Sequence, residues 1–445
     1  MSALLHPASN LHAVKTHGQF VVERGEGVYI YDNHGKAYLE GMAGLWCTGL
    51  GYGNQEVAQI AQEQISKLAF SHMFAGKSHE PGNQLADKLA SMVPIDNAHI
   101  FLGSSGSDAN DTQVKFMRYF NTITGKPQKT KIIARDKGYH GVTMTSAALT
   151  GLPIFHSNYQ LPLEALGVVR VSAPYYFRNG LPGESEQAFV DRLVKELEDT
   201  IEREGADTIA AMICEPINGA GGVIVPPEGY FARVQQVLKQ NDIQLIDDEV
   251  ITGFGRTGEV FGAHSFDIQP DTMSMAKQLT SAYLPLSAVA VNATMFDAMV
   301  EESARAGNNG HGYTYSGHPV AAAVALKVLE IYERDGVYQN AATQGEYMQR
   351  KLSAMIDHPM IGDVRGKGLI GAIELVADSN NAMFPNNDPA MYCVKRAEEL
   401  GLIVRPLSNN TVAMCPPMVI TEAQLDELFS KLNQAVEDTY AKFGQ

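Results

Sequence analysis

Between residues 100 and 291 short apolar runs alternate with amphipathic stretches, and that alternation limits the fold more than any other feature of the chain. The runs at 100–103, 131–135, 168–171, 208–214, 243–247 and 287–291 are each bounded by Gly, Pro or charged residues and predict strands. The intervening pattern is helical. Over 186–204, Phe189, Val190, Leu193, Val194, Leu197 and Ile201 recur at three and four residues on one face. Repeated strand–helix–strand units predict an α/β fold with a mostly parallel sheet covered by helices on both sides. Beyond residue 320 the pattern becomes α+β, with strands expected at 369–375, 402–405 and 411–415 and helices at 320–334, 390–400 and 421–443. A strand at 28–32 is expected to join them. The division this predicts is 1–55 as an N-terminal segment of the small domain, 56–320 as the large domain, and 321–445 as the C-terminal part of the small domain.

Composition narrows the function classes. A chain of 445 residues suits two or three domains around a large core. With 34 Lys+Arg against 50 Asp+Glu the net charge is -16, which repels phosphate backbones and argues against a nucleic-acid partner. Cys47, Cys214, Cys393 and Cys415 lie too far apart in sequence for a metal or redox pair, and few thiols in a long chain suggest a reducing compartment. No metal is expected. No run of about 18 apolar residues offers a membrane span. The first residues lack a basic region followed by an apolar run, so no signal peptide is expected and the expected location is cytoplasmic.

Two segments, Gly253-Phe-Gly-Arg-Thr-Gly258 and Gly366-Lys-Gly-Leu-Ile-Gly371, match the dinucleotide pattern G-x-G-x-x-G. In a chain with 41 glycines the match is weak, and three acids directly precede the first one. Gly103-Ser-Ser-Gly-Ser-Asp-Ala-Asn110 makes a better anion site. It joins an expected strand to an expected helix, so glycine backbone, Ser105 and Ser107 hydroxyls and helix N–H groups converge. A plain capped turn fits the same segment. Asp248 ends an expected buried strand, where α/β proteins bind ligands, and suits a cationic ring nitrogen; an ion pair with Arg256 is the competing use. Lys277, in Met273-Ser-Met-Ala-Lys277, sits in apolar surroundings that favour a neutral, nucleophilic amine, although most lysines are simply exposed. A phosphate cradle, an acid for a pyridine nitrogen and a desolvated lysine together match pyridoxal 5′-phosphate.

These segments also resemble the class III aminotransferases of the fold-type I, pyridoxal-phosphate-dependent group. The shared motifs are Ser105-Gly-Ser-Asp-Ala-Asn110, Tyr139-His-Gly141, Glu215-Pro216, Asp248-Glu-Val250 with Gly253–Gly258, Lys277, and Gly312-Tyr-Thr-Tyr-Ser-Gly-His-Pro319. They stand in family order over about residues 20–430. The resemblance implies a large cofactor-binding domain and a covalent aldimine of the cofactor with Lys277, which then shuttles the substrate proton. It implies that Asp248 keeps the pyridine nitrogen protonated, that Val250 and Tyr139 sandwich the ring, and that Ser105, Gly106 and Ser107 hold the phosphate. Thr314 is implied to reach the phosphate from a partner subunit, so the expected assembly is a homodimer or a dimer of dimers. Glu215 is expected on the ring hydroxyl side or near Asp248, and His140 behind the ring or simply buried.

Finer features address the substrate. Many relatives acting on ornithine or 4-aminobutyrate carry a second glutamate in the Glu-Pro motif that pairs with a C-terminal arginine. Here Ala220 stands at that place, in Glu215-Pro-Ile-Asn-Gly-Ala220. Arg405 resembles the mobile arginine of the amine and ω-amino-acid:pyruvate branch, which binds a keto-acid carboxylate and swings aside for a bulky amine; a fixed salt bridge is its alternative. Trp46, the only tryptophan, resembles an aromatic pocket wall, with a plain core role as its rival. Phe74 resembles a lining residue from the neighbouring subunit. Ala75 leaves room on one side, and Val142 and Ile217 are expected to complete the wall. The implied reaction is ping-pong transfer from an amine or ω-amino acid to pyruvate. An aminomutase or a dialkylamino-acid decarboxylase would use the same lysine. A catalytically silent regulator would add a basic DNA-binding segment for which this chain has no spare length.

Overall fold

The computed structural model describes residues 3–444. Strands β1 (Val22–Glu26), β2 (Tyr29–Asp32) and β3 (Ala37–Glu40) come first. Then follow β4 (His99–Gly103), β5 (Lys131–Arg135), β6 (Val168–Val171), β7 (Ile209–Cys214), β8 (Gln244–Asp248), β9 (Thr272–Met275) and β10 (Ser287–Val291). The chain ends with β11 (Ile361–Lys367), β12 (Ile370–Leu375), β13 (Leu402–Ile403), β14 (Arg405–Leu407) and β15 (Thr411–Met414). The central sheet has the order β4-β10-β9-β8-β7-β5-β6, and only β10 runs antiparallel to its neighbours. The mixed α/β architecture expected from the alternating pattern is therefore present.

Local signals position the helices. Glu186–Glu204 starts at Ser185, whose hydroxyl accepts the Ala188 N–H at 3.2 Å, and stops at Gly205 with φ 83°. All six apolar residues of its periodic face are buried. Each contributes roughly 1.5–3 kcal/mol relative to exposure.

β9 is not marked by the apolar pattern because Thr272 and Ser274 interrupt it. Both are fully buried, and their hydroxyls bond to Gln113 and Asp248. The strand expected at 402–405 divides into two. Leu402 and Ile403 pair in parallel with β3, whereas β14 forms the edge of a second sheet, β11-β12-β15-β14. Pro406, which has no N–H, suits that edge.

The two glycine-rich matches dock on each other. Leu369 N–H donates to Arg256 O at 3.0 Å, and Arg256 Nη1 donates to Leu369 O at 3.1 Å and Pro416 O at 2.5 Å. Gly368 has φ +60°, and a Cβ there would lie 2.4 Å from the Thr257 carbonyl carbon. Glycine is required for that approach. Among the described residues no helix is long and apolar enough to cross a membrane.

Candidate active site

β8 carries Asp247 and Asp248 at its C-terminal end, with Glu249 next in line. Side chains alternate along a strand, so Asp248 faces away from its two neighbours. Asp248 is buried, and N–H and O–H donors converge on it. Its Oδ2 accepts from Asn110 Nδ2 at 2.7 Å and from His140 Nδ1 at 2.8 Å. Its Oδ1 accepts the Val250 N–H at 3.2 Å and the Ser274 hydroxyl at 3.3 Å. Burial lowers the His140 pKa, and its Nε2 is buried without a hydrogen-bond partner among the described residues. Arg256 bonds to main-chain carbonyls, so it is not the ion-pair partner of Asp248. On the other side, Asp247 is pushed well up, first by burial and then by Glu249. Glu249 is pushed up to about 7 by burial, although it accepts the Thr252 hydroxyl and, at 2.6 Å, the Ala263 N–H.

The helix Gly106–Ile123 opens beside this strand end. Ser105 caps it, accepting the Asp108 N–H at 3.1 Å, while Ser107 Oγ accepts the Val142 N–H at 3.1 Å. The N–H groups of Gly106 and Ser107 have no acceptor among the described residues. Free N–H groups at a helix start form an anion site. A Cβ on Gly106 would stand 3.0 Å from Val250 Cγ1, so this glycine keeps the turn close to Val250.

Lys277 follows β9 in a turn of unusual backbone: Lys277, Ser281 and Ala282 all have positive φ, at 50°, 48° and 61°. Such conformations persist only when the surroundings enforce them. Ser281 Oγ accepts the Leu50 N–H at 2.8 Å, and Gln278 O accepts the Tyr332 hydroxyl at 3.0 Å. Lys277 Nζ forms no hydrogen bond or ion pair among the described residues. Burial lowers its pKa, opposed by Cys47, Asp248 and Glu215 in that order. The result is a less basic amine near the Asp248 carboxyl.

Glu215 directly follows β7 and ties two loops together. Its Oε1 accepts the Tyr139 N–H at 2.9 Å and its Oε2 the Gly219 N–H at 3.0 Å. Burial pushes its pKa up to about 8, and Asp248 adds to the rise. Tyr139 is pushed up by burial, while Arg405 acts against that rise. Arg405, on β14, has its pKa lowered by burial and has no carboxylate within ion-pair distance among the described residues.

Trp46 is only 2% exposed and has φ 63°. It belongs to an apolar cluster with Met42, Ile217, Ile251 and Leu407. Ile217 is thus part of the same buried cluster, whereas Val142 is 59% exposed. Phe74 and Thr314 are exposed on the surface. Phe74 is 47% exposed and packs on Gly312, two residues before the exposed Thr314.

The class III aminotransferase family model matches residues 11–436. The chain is a class III aminotransferase. It is 45% identical to the ω-transaminase from Pseudomonas jessenii in complex with PMP, with a TM-score of 0.97 over 99% of this chain and 97% of that one. A variant of a thermostable ω-transaminase engineered for asymmetric synthesis of enantiopure bulky amines matches equally, at 45% identity and TM-score 0.97 over 99% and 98%. Gamma aminobutyrate transaminase 1, mitochondrial, from Solanum lycopersicum is 43% identical over 94% of this chain and 81% of its own length.

Class III aminotransferases use pyridoxal 5′-phosphate. The residues of this aminotransferase fit that group: N–H donors for a phosphate and a lysine amine that are unpaired among the described residues, and a buried carboxyl held by donors. Asn110, which donates to both Asp248 and the His140 carbonyl, has no role that local sequence assigns. Its one signal is spacing, since Asn110 and Gln113 share a face of the helix at i and i+3.

Proposed function

We propose that this aminotransferase moves an amino group from an amine or ω-amino acid to a keto acid, with pyruvate as acceptor, in a ping-pong cycle. Arg405 carries the reading. A half-buried guanidinium that has no carboxylate beside it among the described residues offers its donors to a ligand, and a substrate carboxylate is the partner that would complete it. Two parallel N–H donors suit a keto acid by shape and charge. Ala220 offers no carboxylate to hold Arg405 in place. The engineered ω-transaminase carries changes at a tryptophan, a phenylalanine and an arginine spaced 28 and 331 residues apart, and the same intervals separate Trp46, Phe74 and Arg405.

Bound pyridoxal phosphate supplies an electron sink. In the proposed roles Lys277 Nζ anchors it and moves the proton taken from the substrate carbon. Asp248 holds the proton of the ring nitrogen, oriented by His140 and Asn110. Ser105, Gly106 and Ser107 bind the phosphate, and Val250 and Tyr139 pack on the two ring faces. Glu215 sets the Tyr139 loop. Trp46 and Tyr139 line the substrate side and exclude water. Thr314 and Phe74 serve the site of a second copy, which makes the homodimer, alone or as a dimer of dimers, the active unit. The exposed apolar side chains Phe70, Phe74 and Tyr315 support that use of the surface. Four free cysteines support a cytoplasmic location.

A visible spectrum of the holoenzyme tests the proposal. The band is expected to bleach with an amine that has no carboxylate and to return with pyruvate. A band that persists through a panel of amines would refute the donor class and favour a mutase or decarboxylase. Bleaching reversed only by other keto acids would refute pyruvate.

A further inference from the structure

Behind Asp248 lies a line of buried polar side chains whose direction is fixed at every step. Asn110 Nδ2 faces two oxygens, Asp248 Oδ2 at 2.7 Å and His140 O at 2.8 Å, so its amide must present N–H there. That leaves Asn110 Oδ1 in need of a donor, which is Gln113 Nε2 at 2.9 Å. Gln113 Oε1 then needs a donor of its own, and the Thr272 hydroxyl of β9 supplies it at 2.7 Å. Asn110, Gln113 and Thr272 are all fully buried, so water cannot replace a missing link. An amide can rotate by 180° and exchange its oxygen for its nitrogen. Here the two oxygens fix which end of the Asn110 amide faces the carboxylate, and the Thr272 hydroxyl supplies the donor that keeps Gln113 seated against Asn110 Oδ1.

We infer that Thr272 and Gln113 are positioning residues that fix the amide of Asn110 and, through it, the geometry of Asp248 towards the cofactor ring. The inference rests on the proposed role of Asp248. Without the Thr272 hydroxyl, Gln113 Oε1 is buried without a donor, so the Gln113 side chain shifts and its N–H leaves Asn110 Oδ1. Asn110 is then held less firmly against Asp248, which loosens the hold of the carboxyl on the ring nitrogen. Less positive charge on the ring leaves the lysine-derived nitrogen more basic, so the pH midpoint of the visible band moves upward.

The test compares Thr272→Val, Gln113→Leu and Thr272→Ser with the parent as holoenzymes. Thr439→Val is the control, since Thr439 is equally buried but bonds to Ala435 O in the helix Glu422–Phe443. Thr272→Val and Gln113→Leu are expected to raise the midpoint by at least half a pH unit and to slow the amine half-reaction about tenfold with little change in KM. Thr272→Ser is expected to restore both. Thr439→Val should lower Tm and leave the midpoint in place. A band whose midpoint stays at the parent value in both Thr272→Val and Gln113→Leu overturns the inference, as does Thr272→Ser behaving like Thr272→Val. If Thr272→Val does not fold, the midpoint of Gln113→Leu decides by itself. Failure of the Asp248 reading itself looks different, since Asp248→Asn would then leave the parent band and its midpoint unchanged.

Discussion

Glu40, at the end of β3, is 3% exposed, and burial pushes its pKa from 4.5 up to about 7. Its Oε1 accepts the Met42 N–H at 3.0 Å and its Oε2 the Tyr52 hydroxyl at 3.3 Å, so it braces the turn in which Ala43, Gly44 and Trp46 all have positive φ. Below pH 4.5 the group is protonated both folded and unfolded and contributes no pH dependence. Between 4.5 and about 7 only the unfolded chain ionises, which favours unfolding. Above about 7 the full penalty applies, and a shift of that size corresponds to about 3 kcal/mol. Glu40→Gln has no charge to bury and keeps both contacts, because an amide N–H can donate to the Tyr52 oxygen. For a chain of 445 residues the unfolding entropy is roughly 0.9 kcal/mol/K, so 3 kcal/mol corresponds to about 3 °C in Tm. The Tm of Glu40→Gln relative to the parent should therefore be about 3 °C more favourable at pH 8.5 than at pH 5, measured by scanning calorimetry of the holoenzyme. Emission of Trp46, the only tryptophan, should stay at the parent wavelength in this variant and shift in Glu40→Ala. An equal Tm difference at both pH values would show that Glu40 is already ionised in the folded protein, and the reasoning would fail.

Lys277→Ala should bind pyridoxal phosphate without the covalent band and lose turnover, read by absorbance after borohydride treatment and by alanine formation. Arg405→Ala should lower kcat/KM for pyruvate by about 10- to 150-fold, the equivalent of 1.5–3 kcal/mol for hydrogen bonds between charged groups. Use of an uncharged amine should fall far less; equal losses would make Arg405 structural. Gly368→Ala adds a Cβ at φ +60° that would meet the Thr257 carbonyl carbon at 2.4 Å. It should cost about 2–4 kcal/mol and lower Tm by a similar number of degrees, with KM for pyruvate unchanged.

The strands of the central sheet were legible wherever both faces are apolar, as in β5, β7 and β10, since a continuous apolar run marks a doubly covered strand. Asp248 and Ser105–Ser107 were legible as local motifs because they sit at strand and helix ends that the pattern itself locates, and Lys277 was legible from its apolar neighbours in Met273-Ser-Met-Ala-Lys277. Other features depended on partners distant in sequence. β9 looks broken until Gln113 and Asp248 are placed opposite its hydroxyls. The strand expected at 402–405 divides because β3 and β15 compete for it from opposite ends of the chain. Asp247 and Glu249 could not be told from Asp248 by composition, yet burial raises the pKa of both while hydrogen-bond donors converge on Asp248. Sequence by itself determined the residue types, the periodicities and the order of motifs, all of which are properties of near neighbours along the chain. Tertiary structure alone decided which polar groups have partners and which, like the amine of Lys277 and the guanidinium of Arg405, have none among the described residues, because desolvation and hydrogen bonding depend on what folding brings within a few ångströms.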